Sequence, residues 1–261
     1  MEVHLSVHRD IDYQWRITKY NPAYRNAEGH YLRDEWTSAS EIGKSFLGEI
    51  LTIDDYLQVE KAYVDTVMKF LEVYQIESVR LIHLETYGLS NVDKTSPLYD
   101  SSFETIPLAE DMLVTIEQIP IVCKMALREY IYCQLITEDF FVHLGYDYYL
   151  FIGANSIQQE AIQFASEQRL FVEQMISPYY LSEKNVIREV AWSFPGETII
   201  EDSEILKDMS LEELRTIFQL SSIHPVTGSY KITEDNAKFF QKNIKHKMDF
   251  TKYEYYLLAG S

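Results

Sequence analysis

The pattern of apolar and polar residues changes its period along this chain and predicts both strands and helices. From Tyr13 to Tyr20 the two kinds of residue alternate, as in a half-buried strand. Asn21 and Pro22 end this pattern, because proline cannot donate to a strand ladder. Between Ile53 and Tyr74 the apolar residues recur at steps of three and four, which predicts a helix capped by Thr52.

The same patterns predict further elements toward the C-terminus. The predicted strands are Ser78–Tyr87, Leu113–Ile116, Tyr130–Ile136, Asp139–Gly153, Leu170–Met175, one within His224–Ile232, and Lys252–Leu258. The predicted helices are Gln118–Arg128, Ile157–Glu167 behind a Ser156 cap, and two that begin after Ser210 and Thr233. Strands and helices follow one another in mixed order, so the predicted fold class is α+β. We expect mixed or antiparallel sheets with packed helices, arranged in two lobes.

The boundary between the predicted lobes lies in a stretch rich in Ser, Asn, Asp, Gly and Pro, residues 88–107, which is typical of a linker or long loop. This places an N-terminal lobe at residues 1–95 and a C-terminal lobe at 105–261. The C-terminal lobe contains an acidic middle part, 105–180, and a last part, 181–261. Between Arg128 and Arg169 the chain has no Lys or Arg at all.

The formal net charge of −18 limits the partners to be expected. Such a field repels phosphate backbones and anionic membranes, and it attracts cationic partners in a salt-dependent way. Tyrosine occurs 20 times in 261 residues, and tyrosine is enriched in protein interfaces. We therefore expect a basic protein partner, no nucleic acid and no membrane. The oligomeric state is left open.

Other functional classes lack their sequence signatures. The chain has no apolar run of about 18 residues and no basic-then-apolar N-terminus, which predicts a cytoplasmic protein without a membrane span or signal peptide. Cys123 and Cys133 are the only cysteines, and no Cys/His cluster accompanies them, which argues against a disulfide framework or a zinc site. Walker, G-x-S-x-G, H-E-x-x-H and G-x-G-x-x-G motifs are absent. We therefore assign no catalytic residue, no cofactor and no metal ligand.

The segment HLGYDYYLFIGA, His143 to Ala154, contains a histidine and an aspartate that could form a metal or acid/base pair. On one continuous strand, His143 and Asp147 point to the same face but stand roughly 13 Å apart, at about 3.3 Å per residue. They could ligate one ion only if Gly145 supplied a bulge. Asp147 is therefore expected to face either water or a partner.

Two stretches have the composition of a partner-binding surface. In the loop RDEWTSASEIG, a tryptophan could fill a partner's pocket while the neighbouring carboxylates meet a basic rim. The alternative is that Trp36 folds back over the core. The tyrosines around Asp147 form the second stretch, and their alternative is a solvated face. We predict that the partner-binding residues are Asp34, Glu35, Trp36, Tyr146, Asp147 and Tyr149.

Three blocks carry a resemblance to a known group of sequences. The blocks WRITKYNPAYRN with GHYLRDEWTSASEIG, ALREYIYCQL with FFVHLGYDYYLFIG, and HPVTGSYKIT with DFTKYEYYL resemble those of a family of uncharacterised bacterial cytosolic proteins. The acidity and the size also resemble those of the immunity proteins that accompany bacterial polymorphic toxins. This resemblance implies no catalytic residues.

The expected function is thus a non-enzymatic, acidic protein-binding protein of the immunity or antitoxin kind, which masks a basic partner such as a nuclease toxin. One alternative is an enzyme whose site is assembled from scattered carboxylates and histidines. Glu85, Glu129, Asp147 and Glu173 are candidate acids for such a site, but their spacing does not favour any two of them. Another alternative is a cytosolic scaffold or regulatory subunit.

Overall fold

A computed structural model describes residues 11–86, 89, 92–181, 185–197, 199–207 and 209–260. The strands in these residues are β1 (Tyr13–Thr18), β2 (Ser45–Phe46), β3 (Glu49–Ile50), β4 (Ser78–Glu85), β5 (Leu113–Thr115), β6 (Tyr132–Ile136), β7 (Phe140–Leu144), β8 (Leu150–Ala154), β9 (Phe171–Gln174), β10 (Ile187–Ser193), β11 (Asp202–Ile205), β12 (Gly228–Ile232) and β13 (Glu254–Gly260). The α-helices are α1 (Ile53–Val73), α2 (Ile119–Leu127), α3 (Gln159–Glu167), α4 (Leu211–Phe218) and α5 (Glu234–Gln241). The fold class is α+β, as predicted.

The larger sheet contains seven strands in the order β5-β4-β6-β7-β8-β1-β9. Each neighbouring pair in it is antiparallel. One face of this sheet packs against α1, which also contacts α2 and α3. Trp15 and Ile17 point from β1 into this core, and the Trp15 ring lies 6.0 Å from that of Phe70 on α1.

Helix α1 begins where the sequence predicts. The Thr52 hydroxyl accepts a hydrogen bond from the Asp55 N–H, and the Asp55 carboxylate accepts one from the Thr52 N–H, which completes a capping box. The helix buries one charged residue, Glu60. Arg128 donates two hydrogen bonds of 2.6 Å to the Glu60 carboxylate, so this buried acid is fully paired.

The chain divides into two compact units at a different place from the one predicted. One unit extends from Ile11 to Tyr179 and the other begins at Tyr180. The predicted boundary between residues 95 and 105 falls inside the seven-stranded sheet, because β1 and β4 come from the predicted first lobe and their partners come from the second. A Ser- and Pro-rich stretch here marks a connection between strands and not a domain boundary.

The second unit has its own sheet and core. Its four strands are ordered β11-β10-β13-β12, and all three pairs are antiparallel. Helices α4 and α5 contribute Leu214 and Phe240 to a core that contains Trp192 and Tyr255. These helices begin after the N-caps Ser210 and Thr233, as expected, and the capping box expected between Ser210 and Glu213 is present. The pattern did not predict β10 and β11.

The largest error of local structure concerns Asp139–Gly153, which is a hairpin and not one strand. Strand β7 ends at Leu144, and the chain returns as β8, with His143 paired to Phe151. The Gly145 N–H donates to the Tyr149 carbonyl at 2.8 Å. Asp147 (φ 55°) and Tyr148 (φ 59°) both adopt the left-handed conformation between these two residues. His143 and Asp147 therefore do not share a strand face.

Three smaller observations complete the description of the fold. Helix α3 begins after Gln158, so Ser156 is not its cap. Cys123 and Cys133 are buried free thiols. Among the described residues, no helix combines the length and the apolar character needed to cross a bilayer.

Candidate functional site

The two predicted partner-binding stretches converge on Tyr20, just beyond the end of β1. The Tyr20 ring centroid lies 5.1 Å from that of Tyr31 and 5.6 Å from that of Tyr149. Its hydroxyl donates to the Trp36 carbonyl at 3.3 Å. Burial and the nearby carboxylate of Asp147 raise the pKa of Tyr20 well above its usual value. Tyr20 thus joins the loop that contains Trp36 to the hairpin turn that contains Asp147.

Lys19 lies between the aromatic rings of this cluster. Its Nζ is 4.1 Å from the centroid of the Tyr20 ring, 4.2 Å from that of Trp36, and 3.5 Å from Glu35 Oε2. The Tyr31 hydroxyl donates to Glu35 Oε1 at 2.5 Å. Burial lowers the pKa of Lys19 to about 8, although the Glu35 carboxylate favours the charged ammonium. The Glu35 carboxylate is therefore already paired with Lys19 and Tyr31 of the protein itself.

Tyr63 of α1 holds the base of the cluster in place. Its hydroxyl accepts the Lys19 N–H at 2.7 Å and donates to the Tyr148 carbonyl, also at 2.7 Å. The Tyr148 ring meets the Trp36 ring edge-on at 5.0 Å. Trp36 is partly buried and packs on the core, as in the alternative considered from the sequence. These contacts make a rigid base for the cluster. They leave only a small part of the Trp36 side chain accessible to a partner.

Three of the six predicted residues are exposed: Asp34, Tyr146 and Asp147. Tyr146 has a relative exposure of 58% and stacks on Tyr132, with ring centroids 5.9 Å apart and planes at 13°. Tyr146, Asp147 and the exposed residue Glu129 line one crevice. Burial raises the pKa of Glu129, and the carboxylate of Asp147 raises it further. We call the exposed residues Asp34, Glu129, Tyr146 and Asp147 the acidic-aromatic surface.

His143 lies elsewhere, in the interior of the first unit. Its Nδ1 is 2.8 Å from the hydroxyl of Ser177, and its ring stacks on Phe141 with centroids 4.0 Å apart. Burial lowers the pKa of His143 to about 3, and His83 lowers it as well. A neutral, buried imidazole of this kind is a structural group that supports the sheet.

The candidate acids for an enzymatic site do not form one constellation. Arg16 and Arg25 donate to Glu173 at 3.0 and 2.6 Å, so this carboxylate is held in a structural ion pair. Glu129 and Asp147 line the crevice described above, while Glu85 is exposed at the end of β4. Within the described part of the chain, no group of three or more His, Cys, Asp or Glu residues could hold a metal ion.

Sequence reasoning missed Lys19, Tyr20 and Tyr31 as parts of the site, and it named Glu129 only as a candidate acid of an enzymatic site. Lys19 and Tyr20 are the last two residues of the predicted strand, where the side chains before a turn can reach the neighbouring strands. Glu129 has a subtler signal. It occupies the left-handed position just beyond α2, with φ 61°, where glycine is usual.

Comparison with known proteins gives one match. Residues 188–258 match a family model described as a domain of unknown function (DUF7683). The matched segment lies within the second unit and begins in β10. The search of curated proteins returned no match, and the search of solved structures returned none.

Proposed function

We propose that this protein is a non-enzymatic binding protein that covers a basic protein partner with the acidic-aromatic surface. The observation that carries the proposal is the convergence of two acidic, aromatic stretches on one rigid base around Tyr20. A prepared base of this kind reduces the entropy lost when a partner binds. The exposed ring of Tyr146 and the carboxylates beside it are the groups offered to that partner.

The charge distribution supports a cationic partner. The ammonium group of Lys19 belongs to the cluster, and Glu35 and two aromatic rings already surround it. The carboxylates of Asp34, Glu129 and Asp147 remain exposed. The carboxylate of Asp147 makes the ionised form of Glu129 less favourable, and a guanidinium or ammonium group of a partner would relieve this repulsion.

The physical roles of the two kinds of group would differ. The net charge of −18 would speed association with a basic protein and make it sensitive to salt. Tyr146 would contribute mainly to residence time, because aromatic anchors that become buried slow dissociation. An immunity protein that masks a toxin in the cytoplasm needs both properties, and we propose this biological role.

The proposal can be tested by affinity capture from the native host with matched baits. The first bait is the wild-type protein, the second is Asp34→Asn/Glu129→Gln/Asp147→Asn, and the control is Glu138→Gln/Asp139→Asn/Glu167→Gln, which removes three exposed acids elsewhere in the same unit. We expect wild type and control to retain the same basic protein at low salt, and the second bait to lose it.

The captured protein is then purified and assayed with and without each bait. Inhibition of a toxic or nucleolytic activity by wild type and control, but not by the second bait, would support the immunity role. A basic protein that all three baits retain equally would show that the acidic-aromatic surface is not the binding site. Failure of wild type to retain any basic protein would refute the proposed function.

A further inference from the structure

A second surface of the first unit, separate from the acidic-aromatic surface, has the form of a helix-binding groove. It extends along the C-terminal half of α1 beside α3. The groove is open and has a volume of about 650 Å³. Its floor is apolar and is formed by Met68, Leu71, Ile76, Ile116 and Phe164.

The floor is suited to a variable apolar occupant. Leu71 is fully buried, whereas Met68, Ile76, Ile116 and Phe164 are only partly buried and leave apolar atoms exposed. Methionine is flexible and polarizable, so Met68 can adjust its side chain to different partners. Partly exposed apolar side chains beneath a polar rim can receive an apolar side chain of a partner helix.

The rim of the groove is acidic. Asp65, Glu72 and Glu77 line it, and Lys69 is the one basic residue among the described lining residues. Lys69 Nζ lies 3.2 Å from Glu72 and 2.6 Å from Glu160, so two carboxylates share this one cation. Lys61 on α1 pairs with Asp65. The four carboxylates of Asp65, Glu72, Glu77 and Glu160 thus face two ammonium groups, so the rim keeps a net negative charge.

The groove also has the length of a short helix. Its α1 side extends from Asp65 to Glu72, which corresponds to about 10 Å at about 1.5 Å per residue, or about two helical turns. We propose that this groove binds an amphipathic helix of a partner protein, with an apolar face on the floor and Lys or Arg residues against the rim. An anionic lipid surface would be repelled by the same carboxylates.

The proposal can be tested with a defined peptide. The probe is a fluorescently labelled, capped peptide of fourteen residues, with leucine at positions spaced three and four apart and lysine elsewhere. The matched control peptide has glutamate in place of each lysine. Fluorescence anisotropy should report binding of the lysine peptide, and binding of the glutamate peptide at least tenfold weaker.

Two variants then locate the binding site. Phe164→Ser removes apolar surface from the floor, and Glu72→Gln/Glu77→Gln neutralises the rim without touching the floor. Each should weaken binding of the lysine peptide at least fivefold, whereas Glu138→Gln/Asp139→Asn, which removes the same charge elsewhere, should change it less than twofold. Circular dichroism confirms that each variant is folded. Glu72 and Glu77 are exposed, so their neutral replacements leave the core of the unit intact.

Three results would overturn the proposal. Equal binding of both peptides would show that charge does not select the occupant. Equal effects of the rim variant and its control would show that the peptide binds the acidic protein without using the groove. A dimer in sedimentation that Phe164→Ser dissociates would assign the groove to a second copy of the chain. None of these outcomes depends on the acidic-aromatic surface, so this proposal and the proposed function can fail separately.

Discussion

The buried imidazole of His143 should make the first unit sensitive to mild acid. In the folded protein the pKa of His143 is about 3, whereas a fully solvated histidine has a pKa of 6.5. Between these values the unfolded chain binds a proton that the folded chain excludes, so stability is lost as pH falls below 6.5. The imidazole is fully enclosed, with Ser177 and the Tyr179 ring beside it and His83 as the titratable group that acts on it.

The size of the effect follows from these two pKa values. At pH 7 the unfolded histidine is mostly neutral, and at pH 5 it is almost fully protonated, while the folded one stays neutral at both. Integration of the linkage relation gives a loss of about 2 kcal/mol from this one residue between pH 7 and pH 5. His143→Asn keeps a polar group near Ser177 but cannot titrate, so it should lack this loss.

The assay is urea unfolding at the two pH values in a Trp192→Phe background. This change leaves Trp15 and Trp36 as the emitters, so tryptophan fluorescence reports the seven-stranded sheet. The wild-type protein should lose about 2 kcal/mol more than His143→Asn on acidification. His83→Gln should retain most of the difference. Equal losses in wild type and His143→Asn would refute the reasoning, because they would mean that His143 is solvated or paired when protonated.

Two further predictions concern stability. Arg128→Met should lower the free energy of unfolding by about 3–5 kcal/mol, because it leaves the Glu60 carboxylate buried without its partner. Glu60→Leu/Arg128→Met should lower it clearly less. Equal losses in urea unfolding would contradict this account. Gly153→Ala should lower the free energy of unfolding by about 1–3 kcal/mol, since its Cβ would lie 2.1 Å from the Phe141 ring. The control in a thermal melt is Gly260→Ala, whose Cβ meets no atom within 4 Å. A Gly153→Ala variant as stable as the control would show that the Phe141 ring can move freely.

Local signals accounted for much of the fold. The caps at Thr52, Ser210 and Thr233 all begin helices, because a side-chain acceptor and an acid or amide three residues later act over a single turn. The hairpin at Gly145 was missed because its residues give no local signal for a turn. Its turn places Asp147 and Tyr148 at positive φ, and tyrosine is not a residue that signals this conformation.

The candidate site was predicted only in part, since its geometry depends on distant contacts. The composition of the loop identified Asp34 and Glu35, and the tyrosine-rich segment identified Tyr146 and Asp147. The link between them passes through Tyr63 of α1, whose hydroxyl bonds backbone groups of two separate segments. No spacing in the sequence encodes such a contact. The division into units was misplaced for a related reason, because sheet order is not visible in loop composition.

The position of β1 determines when the first unit can be completed during synthesis. This strand is made early, yet both of its neighbours, β8 and β9, come from the far end of the unit. Trp15 and Ile17 must therefore remain without their strand partners while more than a hundred further residues leave the ribosome. Until then the nascent chain exposes an apolar strand, and an unpaired apolar strand is prone to misassociation.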